Sequence, residues 1–566
     1  MSVSPPEFPR QRPDGPIPPR RPPVRAAVAP IAPVPLVPPG VLARFGARVL
    51  DPQTAVQVPG APPNPTVYIG GSLLVRGLPQ GSAGRIVERL QKSANLTRDP
   101  VRLTISRRDL ALTEGLARTD ESARRFDRTW TTRVLLSRSS SAPAPPPDAW
   151  EVLQSLRNDN ADLAGELSLD HLMTACSDWS GVGGLWGGVG GLWGGVGGLW
   201  GGVGQGLAVY GSPGFGGRTP VVWSAPDPRI GAPPVDRAPV VALLDTGIGE
   251  HPWFQTSSGG FSEEVFFGGQ PIGVTASTAE DPEYLGVVTD PINGMIDREA
   301  GHGTFIAGIV RQRCPQAYLL TVPVMPADGA VAEQEVLTAL NQLLRVHLDG
   351  QATDAKNRDV IDVLSLSMGF YHETPQDVVD DGPLAAVLQA FADAGVAVVA
   401  AAGNEATRSK FFPAALAPTM TSGVPMTSVG ALNPDGHTVA QFSNSGPWIT
   451  THAPGAGIVS TVPTTLSGGY GRSIAVDGID PLPRATVDPD DYRSGFAIWS
   501  GTSFAAPWVA GEIAARIAAA DDLGSVDVQS AITRSRAAVT SVLDERATVL
   551  TAGGTTTGST TGQGPS

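Results

Sequence analysis

Three short stretches carry residue types that could carry out acyl-transfer chemistry together. Ser500-Gly501-Thr502-Ser503-Phe504-Ala505-Ala506-Pro507 puts a hydroxyl at the head of a small-residue, helix-forming run that continues to Ala520. At a helix start the free backbone N–H groups and the dipole favour negative charge. Pro507 falls early enough in this helix for its missing N–H to matter little, and Ala505 and Ala506 let another element come close. A serine hydroxyl is a weak nucleophile until a base takes its proton, so a base and a group to orient it are needed. His302, in Gly301-His302-Gly303-Thr304, opens a second small-residue helix, and Asp245 ends the apolar run Val240-Val241-Ala242-Leu243-Leu244 ahead of Thr246-Gly247. Taken singly, each has a duller reading: Asp-Thr-Gly is a common strand-end turn, and a histidine at a helix start is often a satisfied structural residue. Together they supply a nucleophile, a general base and its orienting carboxylate.

These residues need a scaffold that brings strand ends and helix starts to one edge. From residue 238 onward, apolar runs at 240–244, 318–324, 360–368, 396–402 and 427–431 read as buried parallel strands. Between them, 303–311, 333–348, 383–394 and 503–520 read as helices. The alternation predicts an α/β fold with a doubly wound parallel sheet, whose ligands sit at the carboxyl ends of the strands. Asp245 is expected at one such end and Asn404 after another, with His302 and Ser503 at helix starts facing the same edge.

The order Asp, His, Ser, with the blocks Asp245-Thr-Gly, His302-Gly-Thr and Gly501-Thr-Ser503-Phe-Ala-Ala-Pro, resembles the subtilisin-like serine proteases (subtilases, peptidase family S8). A fourth block, Ala401-Ala-Gly403-Asn404, is similar to the oxyanion-hole segment of that family. The resemblance covers about residues 236–545. It implies a serine endopeptidase in which Ser503 attacks a peptide carbonyl, His302 moves the proton, Asp245 fixes the imidazole, and the Asn404 amide with the Ser503 N–H holds the oxyanion. It also implies that 363–369 is a substrate-binding strand, with Ser367, Met368 and Gly369 bordering the pocket for the residue before the scissile bond. An extended peptide would pair with its edge. No cofactor is required by this chemistry. Many family members carry a structural calcium, but Asp488, Asp490 and Asp491 lack EF-hand spacing and read better as a solvated acidic loop. The sequence departs from compact subtilases in the fifty-seven positions from Asp245 to His302 and in about forty residues, 460–499, ahead of the nucleophile. Both are expected as surface insertions near the cleft. His251, His372, His437 and His452 fall in expected loops and are read as facing solvent.

The remaining chain is long for one domain: 566 residues predict several segments. Residues 1–60 are Pro-rich and expected to be disordered. Residues 61–176 carry two strand–helix–strand patterns (67–76, 82–96, 101–106, then 129–136, 148–157, 164–173), predicting a small α+β domain. In many subtilases a domain in this place is a prodomain that blocks the cleft until cut; an adaptor that stays attached fits the pattern as well. Residues 177–235 include a seven-residue repeat containing Trp186, Trp193 and Trp200 inside an uncharged stretch, 180–217. More than half of the repeat is glycine, so it reads as a linker rather than a membrane span. It is also where a maturation cut is expected. Residues 546–566 are expected to be a disordered tail without an apolar anchor, unlike membrane-tethered subtilases.

Charge is uneven: residues 1–140 hold 21 basic and 10 acidic side chains, whereas the whole chain is at −14. Scattered arginines without aromatic interleaving exclude a nucleic-acid motif, and the halves are expected to attract one another. An acidic peptidase half mildly favours basic peptides. Cys176 and Cys314 lack metal-ligand spacing and are expected as free thiols of a reducing compartment, although one bridge stays open. With prolines breaking the only apolar N-terminal run, no cleaved signal is expected, which points to a cytoplasmic protein, non-standard export being the alternative. The expected partners are a polypeptide substrate and either the chain's own N-terminal domain or a regulatory protein. Against a latent endopeptidase stands a catalytically silent scaffold on the same fold, and a fluorophosphonate that labels Ser503 separates the two.

Overall fold

The computed structural model describes residues 37–56, 62–95, 100–113, 116, 119–139, 146–176, 218–255, 259–274, 276–353, 358–374, 382–476 and 482–554. The Trp-containing repeat, most of the Pro-rich start and the end of the tail lie outside them. Among the described residues no helix is long and apolar enough to cross a membrane.

The N-terminal unit runs α1 (Pro39–Phe45), β1 (Ala47–Leu50), β2 (Thr66–Arg76), α2 (Ser82–Ala94), β3 (Val101–Ile105), α3 (Arg107–Leu112), α4 (Asp120–Thr129), β4 (Thr131–Arg138), α5 (Ala149–Asp159) and β5 (Leu167–Ala175). Leu73, Val75, Leu90, Trp150, Leu153 and Leu169 close a core of its own between the strands and α2 and α5. Two pieces depart from expectation. Residues 39–50, inside the stretch expected to be disordered, form α1 and β1, and β1 pairs with β2 from Ala47↔Ile69 to Leu50↔Thr66. α4 carries too few apolar residues to show a helical period; the reciprocal Thr119–Ser122 capping box starts it, and buried Phe126 docks it.

The second unit contains β6 (Val240–Asp245), β7 (Phe261–Ser262), α6 (His302–Arg313), β8 (Tyr318–Pro323), β9 (Ala330–Ala332), α7 (Glu333–Ala352), β10 (Val363–Leu366), β11 (Met368–Tyr371), α8 (Pro383–Asp393), β12 (Ala397–Ala401), β13 (Phe411–Phe412), β14 (Thr427–Leu432), β15 (Thr451–Pro454), β16 (Ile458–Thr461), β17 (Phe496–Trp499), α9 (Thr502–Ala518) and α10 (Val528–Gly554). Seven strands form one parallel sheet in the order β15-β14-β12-β10-β6-β8-β7. Every residue of β6, β10, β12 and β14 is buried. Helices cover both faces, which is why these strands read as largely apolar runs without alternation. α10 continues through residue 554, past the expected boundary at 545. Pro507 is the sixth residue of α9, beyond the first turn. The carbonyl that its missing N–H leaves over, that of Ser503, accepts instead from Ser367 Oγ at 3.0 Å.

A second sheet joins the two units. β5 pairs antiparallel with β2 on its own side and with both β9 and β11 of the other unit. Next to it the residue capping the start of α7 is Ala332, which offers no side-chain cap. The buried Asp170 carboxylate of β5 accepts from the Gln334 N–H at 3.2 Å and so caps this helix from the other unit.

Gly303 sets how closely α6 approaches the end of β6, since a Cβ there would lie 2.1 Å from the Gly247 carbonyl oxygen. We expect Gly303→Ala to destabilise the chain by about 1–3 kcal/mol through overpacking. Gly71→Ala, whose Cβ would meet nothing within 4 Å, should leave the melting temperature nearly unchanged. Thermal unfolding of the two variants beside the native chain decides it, and equal melting temperatures would contradict the assignment.

Candidate active site

Asp245 is the last residue of β6, His302 the first of α6, and Ser503 the second of α9; all three are buried. His302 Nδ1 lies 2.7 Å from Asp245 Oδ1, which also accepts from the Thr246 N–H at 2.8 Å. With Nδ1–H spent on the carboxylate, neutral His302 has its lone pair on Nε2. Nε2 makes no hydrogen bond among the described residues, and Glu299 Oε2 is 3.9 Å away. The ring is walled by Trp499 and Phe504, each with centroids 5.4 Å from it. Burial alone would favour neutral imidazole, but Asp245 and, behind it, Glu299 and Glu283 outweigh it and raise the His302 pKa above 6.5. Ser503 Oγ donates to the Ser367 carbonyl at 3.2 Å. The structure therefore brings Asp245 and His302 into contact but not Ser503 and His302.

Asn404 follows the carboxyl end of β12. Its Oδ1 accepts from Thr502 N–H at 3.0 Å and Thr502 Oγ1 at 2.9 Å, which fixes the amide with its NH2 pointing outward. That NH2 donates to the Cys176 carbonyl oxygen, and the Ser503 N–H donates to the same oxygen at 3.0 Å. Cys176 immediately follows β5. Its own N–H donates to the Ser367 carbonyl at 2.9 Å, and the pairing continues as Met368↔Ala175 and Gly369↔Thr174. On the other edge Ala330↔Thr174, Val331↔Met173 and Ala332↔Leu172 pair β5 with β9. Ser367, Met368 and Gly369 thus form one wall of a groove filled by the last residues of β5, and β9 forms the other.

Sequence reasoning missed Glu283. This buried carboxylate comes from the long stretch between Asp245 and His302, where no spacing pattern singles it out. It accepts from Thr246 Oγ1, Thr304 Oγ1 and, at 3.1 Å, the Gly303 N–H, tying together the residues that follow Asp245 and His302. Burial pushes its pKa up to about 7. Three histidines expected in solvent are not there. His251 is buried among Trp253, Phe254 and Phe496, His452 is partly buried on β15, and His372 packs beside His171; His437 alone of the four is exposed. Asp490, read as solvated, is buried and accepts from the Tyr470 N–H at 2.9 Å. Among the described residues the side chains whose ligand atoms converge are His171, His372 and Glu373, not these aspartates. Cys176 and Cys314 are buried free thiols.

Residues 236–563 match the family model described as the subtilase family. A subtilase-type proteinase of Saccharomyces cerevisiae is 28% identical over 194 residues, 33% of this chain and 36% of the yeast protein. A cuticle-degrading serine protease of Orbilia oligospora is 27% identical over 284 residues, 46% of this chain and 55% of that protein. The chain thus spans between about a third and about half of the length of these relatives.

Two titrations follow from the site. A histidine with a raised pKa adds stability that is complete below its unfolded value, about 6.5, and is lost as pH rises through the folded value. The neutral-favouring environment of Glu283 acts with the same sign: its contribution is full below 4.5 and is lost as pH rises through about 7. We expect the His302 ring resonance, followed by NMR in the Ser503→Ala chain, to titrate above 6.5, and Asp245→Asn to lower that midpoint. A midpoint at or below 6.5 before the Asp245 change would refute the electrostatic account.

Proposed function

The chain belongs to the subtilase family, a family of serine peptidases, and on that premise we propose that it is an endopeptidase that cuts its own chain after Cys176 and stays latent while the N-terminal unit fills its groove. The observation that carries this reading is the Cys176 carbonyl, held by the Ser503 N–H and the Asn404 amide at the end of a strand paired like a bound peptide.

In the proposed reaction, rotation about the Ser503 Cα–Cβ bond takes Oγ from the Ser367 carbonyl to His302 Nε2. His302 accepts the hydroxyl proton as Oγ bonds to the Cys176 carbonyl carbon, and the growing charge on the carbonyl oxygen falls on the two donors already in place. Asp245 stabilises the imidazolium that forms. His302 then gives the proton to the leaving Ser177 nitrogen, the C–N bond breaks, and Cys176 is left as an ester of Ser503. Water then gives a proton to His302 as it attacks the ester carbonyl; the carbon–Oγ bond breaks, His302 returns the proton to Ser503 Oγ, and Cys176 is released as a carboxylate. Glu283 positions the Asp245 and His302 segments without touching the peptide. After the cut β5 still pairs with β9 and β11, so the N-terminal unit remains as an inhibitor until it is displaced or degraded.

Intact-mass measurement of purified chain over hours tests the reading. The native chain should yield a fragment ending at Cys176, while Ser503→Ala stays whole. Asn404→Ala should cut more slowly by about 10²–10³, the effect of losing one oxyanion donor. A native chain that stays whole and whose Ser503 takes no fluorophosphonate would sink the proposal and favour a silent scaffold.

A further inference from the structure

Counting back from Cys176, the sixth residue of the strand in the groove is His171. Its Nδ1 is 2.7 Å from Glu333 Oε2 and its Nε2 is 2.7 Å from Glu373 Oε2. The ring stacks on Phe370 with centroids 4.3 Å apart at 19°. Ionised carboxylates only accept hydrogen bonds, so an imidazole held by one at each nitrogen carries both protons and a positive charge. Burial opposes that charge, but Glu373 and Glu333 overcome it and raise the His171 pKa to about 10. With both nitrogens donating, His171 has no lone pair for a metal ion, although its atoms lie close to those of His372 and Glu373.

The receptor for this cation belongs to the peptidase unit. Glu333 is the first residue of α7, directly after β9, and Phe370 and Glu373 lie on and just past β11. They therefore sit at the far ends of the two strands that flank the peptide. Glu333 and Glu373 are both buried, and Glu373 Oε1 makes no hydrogen bond among the described residues. The positive groups acting on Glu373 are His372, His171 and Arg157. The last two belong to the N-terminal unit and leave with it, and His372 is pushed toward its neutral form by burial. Removal of that unit takes away His171 and Arg157 and leaves two facing carboxylates beside an aromatic ring, with His372 the positive group that stays next to Glu373. A cavity of about 540 Å³ adjoins His171 between the units, lined by Gln154, Arg157, Glu333, Phe370 and His372 among others, and gives room for a longer side chain.

We propose that Glu333 and Glu373, over the Phe370 ring, form a cation-selective subsite of the peptide groove that takes a basic side chain six residues before the cleaved bond. This rests on the proposed function, in which substrates follow the path of β5. Arginine suits the site as well as histidine, because its planar fork can meet two carboxylates while its face lies on the ring. A glutamine there leaves a buried charge pair uncompensated, and a glutamate adds a third negative charge.

The test uses the chain after self-cleavage and release of the N-terminal unit from the groove, with quenched fluorescent peptides copying residues 169–180 and varied only at the position of His171. We expect kcat/KM for the arginine, lysine and histidine peptides to exceed that of the glutamine peptide by roughly tenfold or more, with the glutamate peptide poorest. In the Glu333→Gln/Glu373→Gln chain this ranking should flatten to within about threefold, with Ser503 labelling by a fluorophosphonate reporting that the site is folded. Equal cleavage of all peptides by the native chain would overturn the subsite while leaving the peptidase reading intact, and this arm needs no variant. Absence of both cleavage and labelling would overturn the peptidase reading and the subsite with it.

Discussion

A strand with two foreign neighbours governs this structure. Over Leu172–Ala175, β5 lies between β9 and β11, and its hydrogen-bonding groups are shared with two edges of the subtilase unit. Both edges would otherwise present unpaired N–H and C=O groups. Main-chain pairing of this kind accepts many sequences but only one register, because a shift by one residue exchanges the faces of every side chain. The register seen here puts the Cys176 carbonyl between the Ser503 and Asn404 donors and His171 between the two glutamates. The N-terminal unit fixes it from outside, through its own core and the Asp170 cap on α7.

The buried polar groups around the site form a linked set. Asp245, Glu283 and Glu299 all lie close enough to His302 to act on its charge. Water is kept from the ring by Trp499, Phe504 and Phe305. In such surroundings burial favours the neutral form of a carboxylate, and it pushes the Glu283 pKa up to about 7 in spite of its three hydrogen-bond donors. The proposed mechanism uses that division of charge: Asp245 meets the imidazole directly, whereas Glu283 holds the backbone on either side of it. The two-way contact between Ser503 and Ser367 belongs to the same design. Pro507 leaves one carbonyl over in α9, the Ser367 hydroxyl fills it, and the Ser503 hydroxyl rests on the carbonyl of Ser367.

Much of this was legible from local pattern. Largely apolar runs without alternation marked β6, β10, β12 and β14 because strands covered on both faces need none, and such runs point to the residues at their ends. What escaped was set by partners far along the chain. Residues 39–50 hold one proline but adjoin the Pro-rich start and show no strand alternation of their own, yet β1 finds an edge on β2. β5 was expected to stop at 173, because the partners that extend it to 175, β9 and β11, lie more than 150 residues away. Glu283 sits in an insertion with no repeating pattern, and His372 could not be told from a loop histidine until His171 came beside it.

The unequal distribution of charge between the chain's two halves also takes on a definite form. Arg44–Asp328, Arg108–Glu335 and Arg133–Glu335 cross between the units, but each includes a partly or well exposed side chain. Exposed pairs contribute little to stability, since both ions are well solvated when apart. The His171 pair of contacts is different, because all three side chains are nearly closed to water. Removing a partner from a buried arrangement leaves an uncompensated charge, and that penalty is what makes such a site discriminate. Surface arginines can therefore bring the units together with little demand on sequence, while on the proposed reading selectivity along the groove is concentrated where the charges are buried. On the proposed reading, the same glutamates that hold the N-terminal unit in place while the chain is latent choose among substrates once it has gone.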